Sequence, residues 1–178
     1  MNACASMSSE PARCDPTLLT PSVLVLGAGN ILLQDEGVGV RALARLLARF
    51  ELPASVQAID GGTMGLDLLP YLEGITDLLI LDAVRSGRAP GSLVRLEGDT
   101  IQAGLALKLS VHQVGLQEML AASRLCGCTP ARVVLWGIEP ASLDWGLALS
   151  PTVAAQLDSL VAAVAGELRA WGAAIYDS

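Results

Sequence analysis

Three side chains in this 178-residue chain have the types and placement to do chemistry together: Glu36, Asp82 and His112. Glu36 stands in G-A-G-N-I-L-L-Q-D-E-G-V-G (27–39), directly after the apolar run 22–26. Asp82 stands in L-D-A-V, after the aliphatic run 78–81, and His112 in S-V-H-Q-V-G. Two hard carboxylates and one imidazole make a plausible three-ligand site for a divalent transition metal. Each also has a plainer reading. Glu36 and its neighbour Asp35 favour a helix N-terminus through the dipole, and Asp35 is the preferred capping residue there. Asp82 suits a turn after a strand. His112 is the only histidine of the chain, and a lone histidine is more often structural than a ligand.

The glycine-rich turn at Gly27 invites a dinucleotide reading as well. The pattern here is G-x-G-x-x-L, with Leu32 where the third glycine belongs. Asp60, at the end of the run 56–59, stands where a ribose-binding acid would. Against this, Asp35 and Glu36 open the following helix, and two carboxylates at a helix N-terminus repel phosphate. The loop suits a cation.

Apolar periodicity supplies the elements that must position these residues. Buried strands are expected over 23–26, 56–59, 78–81 and 133–136, with an alternating edge or hairpin strand over 92–96. Helices are expected over 38–50, 65–72 and 113–125, and one long closing helix over 151–171 with Pro151 in its first turn. Helices between aliphatic strands imply parallel pairing with right-handed crossovers. The expected fold is α/β: a three-layer α/β/α domain with a mostly parallel, mixed central sheet of about five strands. Residues 1–21 read as a flexible leader and 22–178 as one domain. In such sheets ligands gather at the carboxyl ends of the strands, where Glu36, Asp60 and Asp82 all fall.

Bulk properties narrow the function classes. Hydrophobic residues make up 52% and charged residues 16%, so much of the chain must be interior. No apolar run approaches the roughly 20 residues of a membrane-spanning helix. A net charge of −7 without a Lys/Arg cluster argues against nucleic acid. The first twenty residues lack the basic-then-apolar order of a signal peptide, which makes the cytoplasm the expected compartment. Cys4, Cys14 and the C-x-C pair Cys126 and Cys128 form neither a disulfide framework nor a zinc knuckle.

Five segments in register carry a family resemblance: V-L-V-L-G-A-G-N-I-L-L-Q-D-E-G-V-G-V, I-D-G-G-T-M-G-L-D-L-L-P-Y-L, L-L-I-L-D-A-V, K-L-S-V-H-Q-V-G-L and V-V-L-W-G-I-E-P. Their order and spacing resemble the hydrogenase maturation endopeptidases, from about Ser22 to Trp171. The resemblance implies a cytoplasmic endopeptidase that removes a short C-terminal extension from the [NiFe]-hydrogenase large-subunit precursor once nickel is in place. It implies that Glu36, Asp82 and His112 contact the metal, and that Asp60 serves recognition or activity. The nickel would come with the substrate, with no tightly bound organic cofactor, no nucleic-acid partner and no membrane insertion. Such an ion could position the scissile peptide, polarise its carbonyl or activate a water. One departure is Val111, where the family often has proline before the histidine. Two other readings stay open: a nucleotide- or nucleoside-binding α/β enzyme, and a non-catalytic nickel chaperone with the same ligands. A serine triad through His112 lacks its G-x-S-x-G elbow.

Overall fold

The computed structural model describes residues 21–101 and 111–178. The leader expected over 1–21 lies, apart from Pro21, outside the described residues. In chain order the elements are β1 (Val23–Ala28), a 3-10 turn (Gln34–Gly37), α1 (Val38–Arg49), β2 (Phe50–Glu51) and β3 (Val56–Gly62). A 3-10 helix (Gly65–Leu72), β4 (Asp77–Ala83), β5 (Leu93–Glu97) and α2 (Val111–Cys126) follow. The chain continues through β6 (Arg132–Ile138), α3 (Pro151–Ala154), α4 (Leu157–Ala170) and β7 (Tyr176–Asp177).

Five strands form the central sheet in the order β3-β1-β4-β6-β5. β1 pairs in parallel with β3 and β4, β4 pairs in parallel with β6, and β5 runs antiparallel to β6. The expected mixed, mostly parallel sheet is therefore present. The alternating segment at 92–96 is the edge strand β5, paired with β6 rather than with the strand before it. β2 and β7 make a separate antiparallel pair.

Alternation along the strands sorts the core into two layers, because successive side chains of a strand point to opposite faces. Val23, Val25, Leu79, Leu81 and Val134 pack with α1 and α4 through Leu43, Leu46, Leu160 and Val164. Leu24, Leu26, Leu78, Ile80 and Leu135 pack on the other face with the 3-10 helix and α2, through Leu68, Leu72, Leu116 and Met119. Burying each such side chain contributes on the order of 1.5–3 kcal/mol.

Two expected boundaries change. The closing helix is interrupted: Gln156 N–H donates to Val153 O at 3.0 Å, three residues back, before Leu160 N–H resumes the four-residue spacing to Gln156 O at 2.9 Å. The strands β3, β4 and β6 also run further than their apolar cores, through Gly62, Ala83 and Ile138. Ladder pairing with a neighbour carries a strand past the residues that hydrophobicity alone marks.

Across one face, Arg95 of β5 and Glu167 of α4 form a bidentate pair, Nε–Oε2 and Nη2–Oε1 both at 2.8 Å. Trp136 and Trp171 donate their indole N–H groups to the same carboxylate, at 2.9 and 3.1 Å. The Arg95 hydrogen bonds, helped by Trp136 and working against partial burial, hold the Glu167 carboxyl down to about 2. Among the described residues, no helix is long and apolar enough to cross a membrane.

Candidate active site

The sheet reverses its winding beside β1: the chain passes from β1 to β3 on one side, then returns to β4 on the other. A crevice forms at such a switch point, outside the carboxyl ends of the two strands. Glu36 follows β1, and Asp82 is the penultimate residue of β4, so the two acids come to this crevice from neighbouring strands.

Glycines at close approaches build the crevice. A Cβ on Gly29 would lie 1.9 Å from the Glu36 carbonyl oxygen. The turn therefore wraps the backbone of Glu36 itself, which explains the glycine without a phosphate. A Cβ on Gly39 would lie 2.0 Å from Leu81 O and 2.3 Å from Ala28 O. Only glycine lets the start of α1 sit this close to the ends of β1 and β4. Gln34, just before the acids, holds a left-handed φ of 42°, a conformation uncommon for a residue with a side chain.

Both acids are buried, Glu36 at 2% exposure and Asp82 at 0%. Asp82 Oδ1 accepts from the Ala83 N–H at 2.7 Å, and Asp82 pairs in register with Gly137 of β6. A Cβ on Gly137 would stand 2.4 Å from Asp82 O, so the glycine of W-G-I-E-P makes room for that strand end. Both Glu36 and Asp82 are engaged with their surroundings.

Asp35 has a different role from the helix cap expected of it. The residue before α1 is Gly37, and no side chain caps the helix. The Asp35 carboxylate is fully buried and accepts from Ala141 N–H at 2.9 Å, Ser142 N–H at 3.0 Å and Ser150 N–H at 2.7 Å. Three backbone donors from a distant loop outcompete the helix end, because they satisfy a charge that burial has stripped of water. Asp35 thus fastens the loop after β6 to the turn carrying Glu36.

Glu139 does the same for the loop after β4, and the sequence reading missed it. Its Oε2 accepts from Ser86 N–H and Ser86 Oγ–H, both at 2.7 Å, and from Arg88 N–H at 3.3 Å. Burial raises the Glu139 carboxyl, but these bonds outweigh it and hold the group below its ordinary range. The available signal was an acid directly after a buried strand and directly before Pro140.

Asp60 lies inside β3, not beyond it. Gly27 pairs with Asp60 but Ala28 pairs with Gly62, so Gly61 is bulged out of the ladder. A bulge bends the strand and re-aims the neighbouring side chain. Asp60 is exposed, and its Oδ1 accepts from Gly62 N–H at 3.0 Å.

His112 occupies the first turn of α2; its side chain lies outside what the structure describes. The helix start is fixed one turn later. A Cβ on Gly115 would be 2.7 Å from the Gly65 Cα, so α2 touches the backbone just after the D-G-G-T segment. Among the described residues, no three His, Cys, Asp or Glu side chains are grouped to hold a metal. What those residues supply is two buried carboxylates, Glu36 in the turn after β1 and Asp82 near the end of the neighbouring β4.

Comparison with known proteins places this architecture. Residues 40–167 match the family model HycI, hydrogenase maturation protease. The hydrogenase expression/formation protein HupD of Rhodobacter capsulatus is 46% identical over 159 residues, 88% of this chain and 76% of that protein. The hydrogenase 2 maturation protease of Escherichia coli is 40% identical over 151 residues, covering 84% of this chain and 92% of its own length. The solved structure of the hydrogenase maturating endopeptidase HybD from E. coli superposes with a TM-score of 0.83 at 39% identity, over 87% of this chain and 96% of that one. With the family model spanning most of the chain and the fold shared over nearly the whole length of that structure, the chain belongs to the hydrogenase maturation proteases.

Proposed function

We propose that this protein is the endopeptidase that removes the C-terminal extension of a [NiFe]-hydrogenase large-subunit precursor after nickel insertion. The precursor's own nickel is the recognition element, and Glu36, Asp82 and His112 are the groups that meet it. One observation supports this reading: two buried carboxylates from different motifs, Glu36 in the 3-10 turn after β1 and Asp82 near the end of the neighbouring β4, flank the switch point of a hydrogenase maturation protease fold. Hard oxygen donors with an imidazole suit a nickel whose other ligands belong to the substrate. Such an ion could position the scissile peptide, polarise its carbonyl or activate a water.

The enzyme's own residues do the rest. Asp35 and Glu139 hold the loops on either side of the crevice, so Glu36 and Asp82 present their donors without reorganising. Asp60, exposed on its bulge, meets the incoming chain. The reading is tested by processing of nickel-loaded precursor with Glu36→Gln, Asp82→Asn and His112→Gln. Each variant should slow cleavage by roughly a hundredfold or more, the scale seen when one electrostatic contributor to a transition state is removed. Normal processing by any one of them removes that residue from the site.

A further inference from the structure

We infer that the open edge of β3 takes the precursor's C-terminal extension as an added, antiparallel strand, so that backbone hydrogen bonds hold the peptide to be removed. The inference rests on the proposed endopeptidase reading and assigns a binding site to the extension itself.

The central sheet has two edges, β3 and β5, and the chain treats them differently. Along β5, Glu139 N–H donates to Ser92 O at 2.9 Å and Gly98 N–H to Val133 O at 3.1 Å. Ser92, Val94, Leu96 and Gly98 therefore face β6, and Leu93, Arg95 and Glu97 turn their backbone groups outward. Side chains of the same chain fill both ends of that outward row. Arg88 Nη1 donates to Leu93 O at 3.2 Å, Glu97 N–H donates to Thr100 Oγ1 at 2.9 Å, and the Thr100 hydroxyl donates to Glu97 O at 2.6 Å. Filling an edge in this way keeps it from pairing with another chain.

β3 has no such cover. Its register with β1 sets Val23 opposite Val56 and Gly27 opposite Asp60, and Val23 N–H donates to Ser55 O at 3.0 Å. Alternate residues of a parallel ladder bond the same neighbour, so Gln57 and Ile59 follow Ser55 in facing β1. Val56, Ala58 and Asp60 turn outward. Val56 N–H is taken by Pro53 O at 2.9 Å. Among the described residues, nothing receives Val56 O or the backbone N–H and O of Ala58 and Asp60. The stretch V-Q-A-I-D contains no lysine and no proline, residues that commonly blunt an edge. Ala58 and Asp60 can each exchange both backbone hydrogen bonds with one residue of an antiparallel partner.

Position and direction select the occupant. The row ends at Asp60, the acid proposed to meet the incoming chain, at the same carboxyl edge of the sheet as Glu36 and Asp82. A strand added outside β3 lies two strand spacings, about 10 Å, from β1. About three extended residues span that distance. An extension leaving the crevice thus reaches the row and runs back along it, from Asp60 toward Val56, antiparallel to β3. A second copy of the chain is the weaker occupant, because two Val56–Asp60 edges alone fall short of the roughly 1,000 Å² that a stable interface needs. A precursor already held at its metal gains from the same short strand, since its second contact is intramolecular. Recognition through backbone groups asks for an extended peptide and little of its sequence.

Nickel-loaded large-subunit precursors with a single proline, placed in turn from about the third to about the tenth residue after the scissile bond, test the inference through KM, kcat and Kd. Proline lacks the N–H. At alternate positions within this span it should raise KM and Kd by about three- to tenfold, the size of one lost backbone hydrogen bond. Prolines between them should stay within about twofold, because those N–H groups point away from β3, and kcat should hold throughout. On the enzyme, Ala58→Pro removes an outward N–H and should raise KM for the unaltered precursor by a similar factor. The precursor series uses unaltered enzyme, so it decides the question even where that variant misfolds. If wild type cleaves the precursors and KM and Kd stay unchanged, or rise without a two-residue period, the added strand is refuted and the endopeptidase reading stands. If wild type binds them with that period but leaves all of them intact, the strand stands and the endopeptidase reading falls. Absence of both binding and cleavage by wild type overturns both.

Discussion

At the scale of single residues, neighbouring acids in this chain have separate tasks. Asp35 and Glu36 are adjacent and both buried, yet Asp35 uses its carboxylate on three backbone N–H groups of a remote loop. Charge next to a helix start is a local signal, and the sequence suggested the local answer. The partners of Asp35 lie more than a hundred positions away, so no short-range pattern could name them. Glu139 was hidden for the same reason. Asp60, in contrast, was legible as a residue of interest, because an acid before two glycines marks a place where backbone bends. Its Oδ1 accepts a single hydrogen bond from Gly62 N–H, which the amide oxygen of asparagine can also accept. Asp60→Asn should therefore keep the melting temperature within about 1–2 °C, as for a near-neutral surface change. Processing of precursor should nevertheless slow severalfold, since the exposed negative charge is lost. Unchanged processing kinetics would return Asp60 to a turn-forming role.

At the scale of elements, the aliphatic cores of all five sheet strands were readable from composition and periodicity, as were α1 and α2. Strand ends were not, since β3, β4 and β6 are prolonged by pairing with neighbours. That extension moves Asp60 and Asp82 from beyond their strands to within them. The break after α3 was invisible too, because a shift from four-residue to three-residue hydrogen bonding leaves the apolar pattern intact. Contact between elements makes its own predictions. Gly115→Ala would drive a methyl group to 2.7 Å from the Gly65 backbone, and the helix start must move to relieve it. We expect a loss of about 1–3 kcal/mol, as for overpacking at a tight contact, together with slowed processing, because His112 lies one turn away. Retained stability and retained processing would show that α2 tolerates displacement. The tie between β5 and α4 predicts a pH dependence. Glu167 is held down to about 2 from an ordinary value of 4.5. A depressed carboxyl contributes stability above its unfolded value and loses it as pH falls toward its folded value. Wild type should exceed Glu167→Gln by about 2 kcal/mol near neutrality. That difference should shrink as pH falls from 4.5 to about 2. A gap in urea-unfolding stability that stays constant across this range would contradict the assignment.

At the scale of the whole molecule, the topology gathers what the sequence scatters. Winding the sheet in both directions from β1 brings the D-E turn and the L-D-A strand end to one crevice. The Gly65–Gly115 contact brings the start of α2 against the segment that follows Asp60. The acidic balance of the chain, −7 overall, suits a face that meets a cationic centre rather than a nucleic acid. On the proposed reading, this face recognises nickel already seated in a precursor. Intact-mass measurement of nickel-loaded and rigorously nickel-free large-subunit precursor, each incubated with the purified protein, tests it most directly. Loss of a C-terminal peptide is expected from the nickel-loaded precursor alone, with the nickel-free form keeping its full mass; efficient trimming of the nickel-free precursor would overturn nickel recognition.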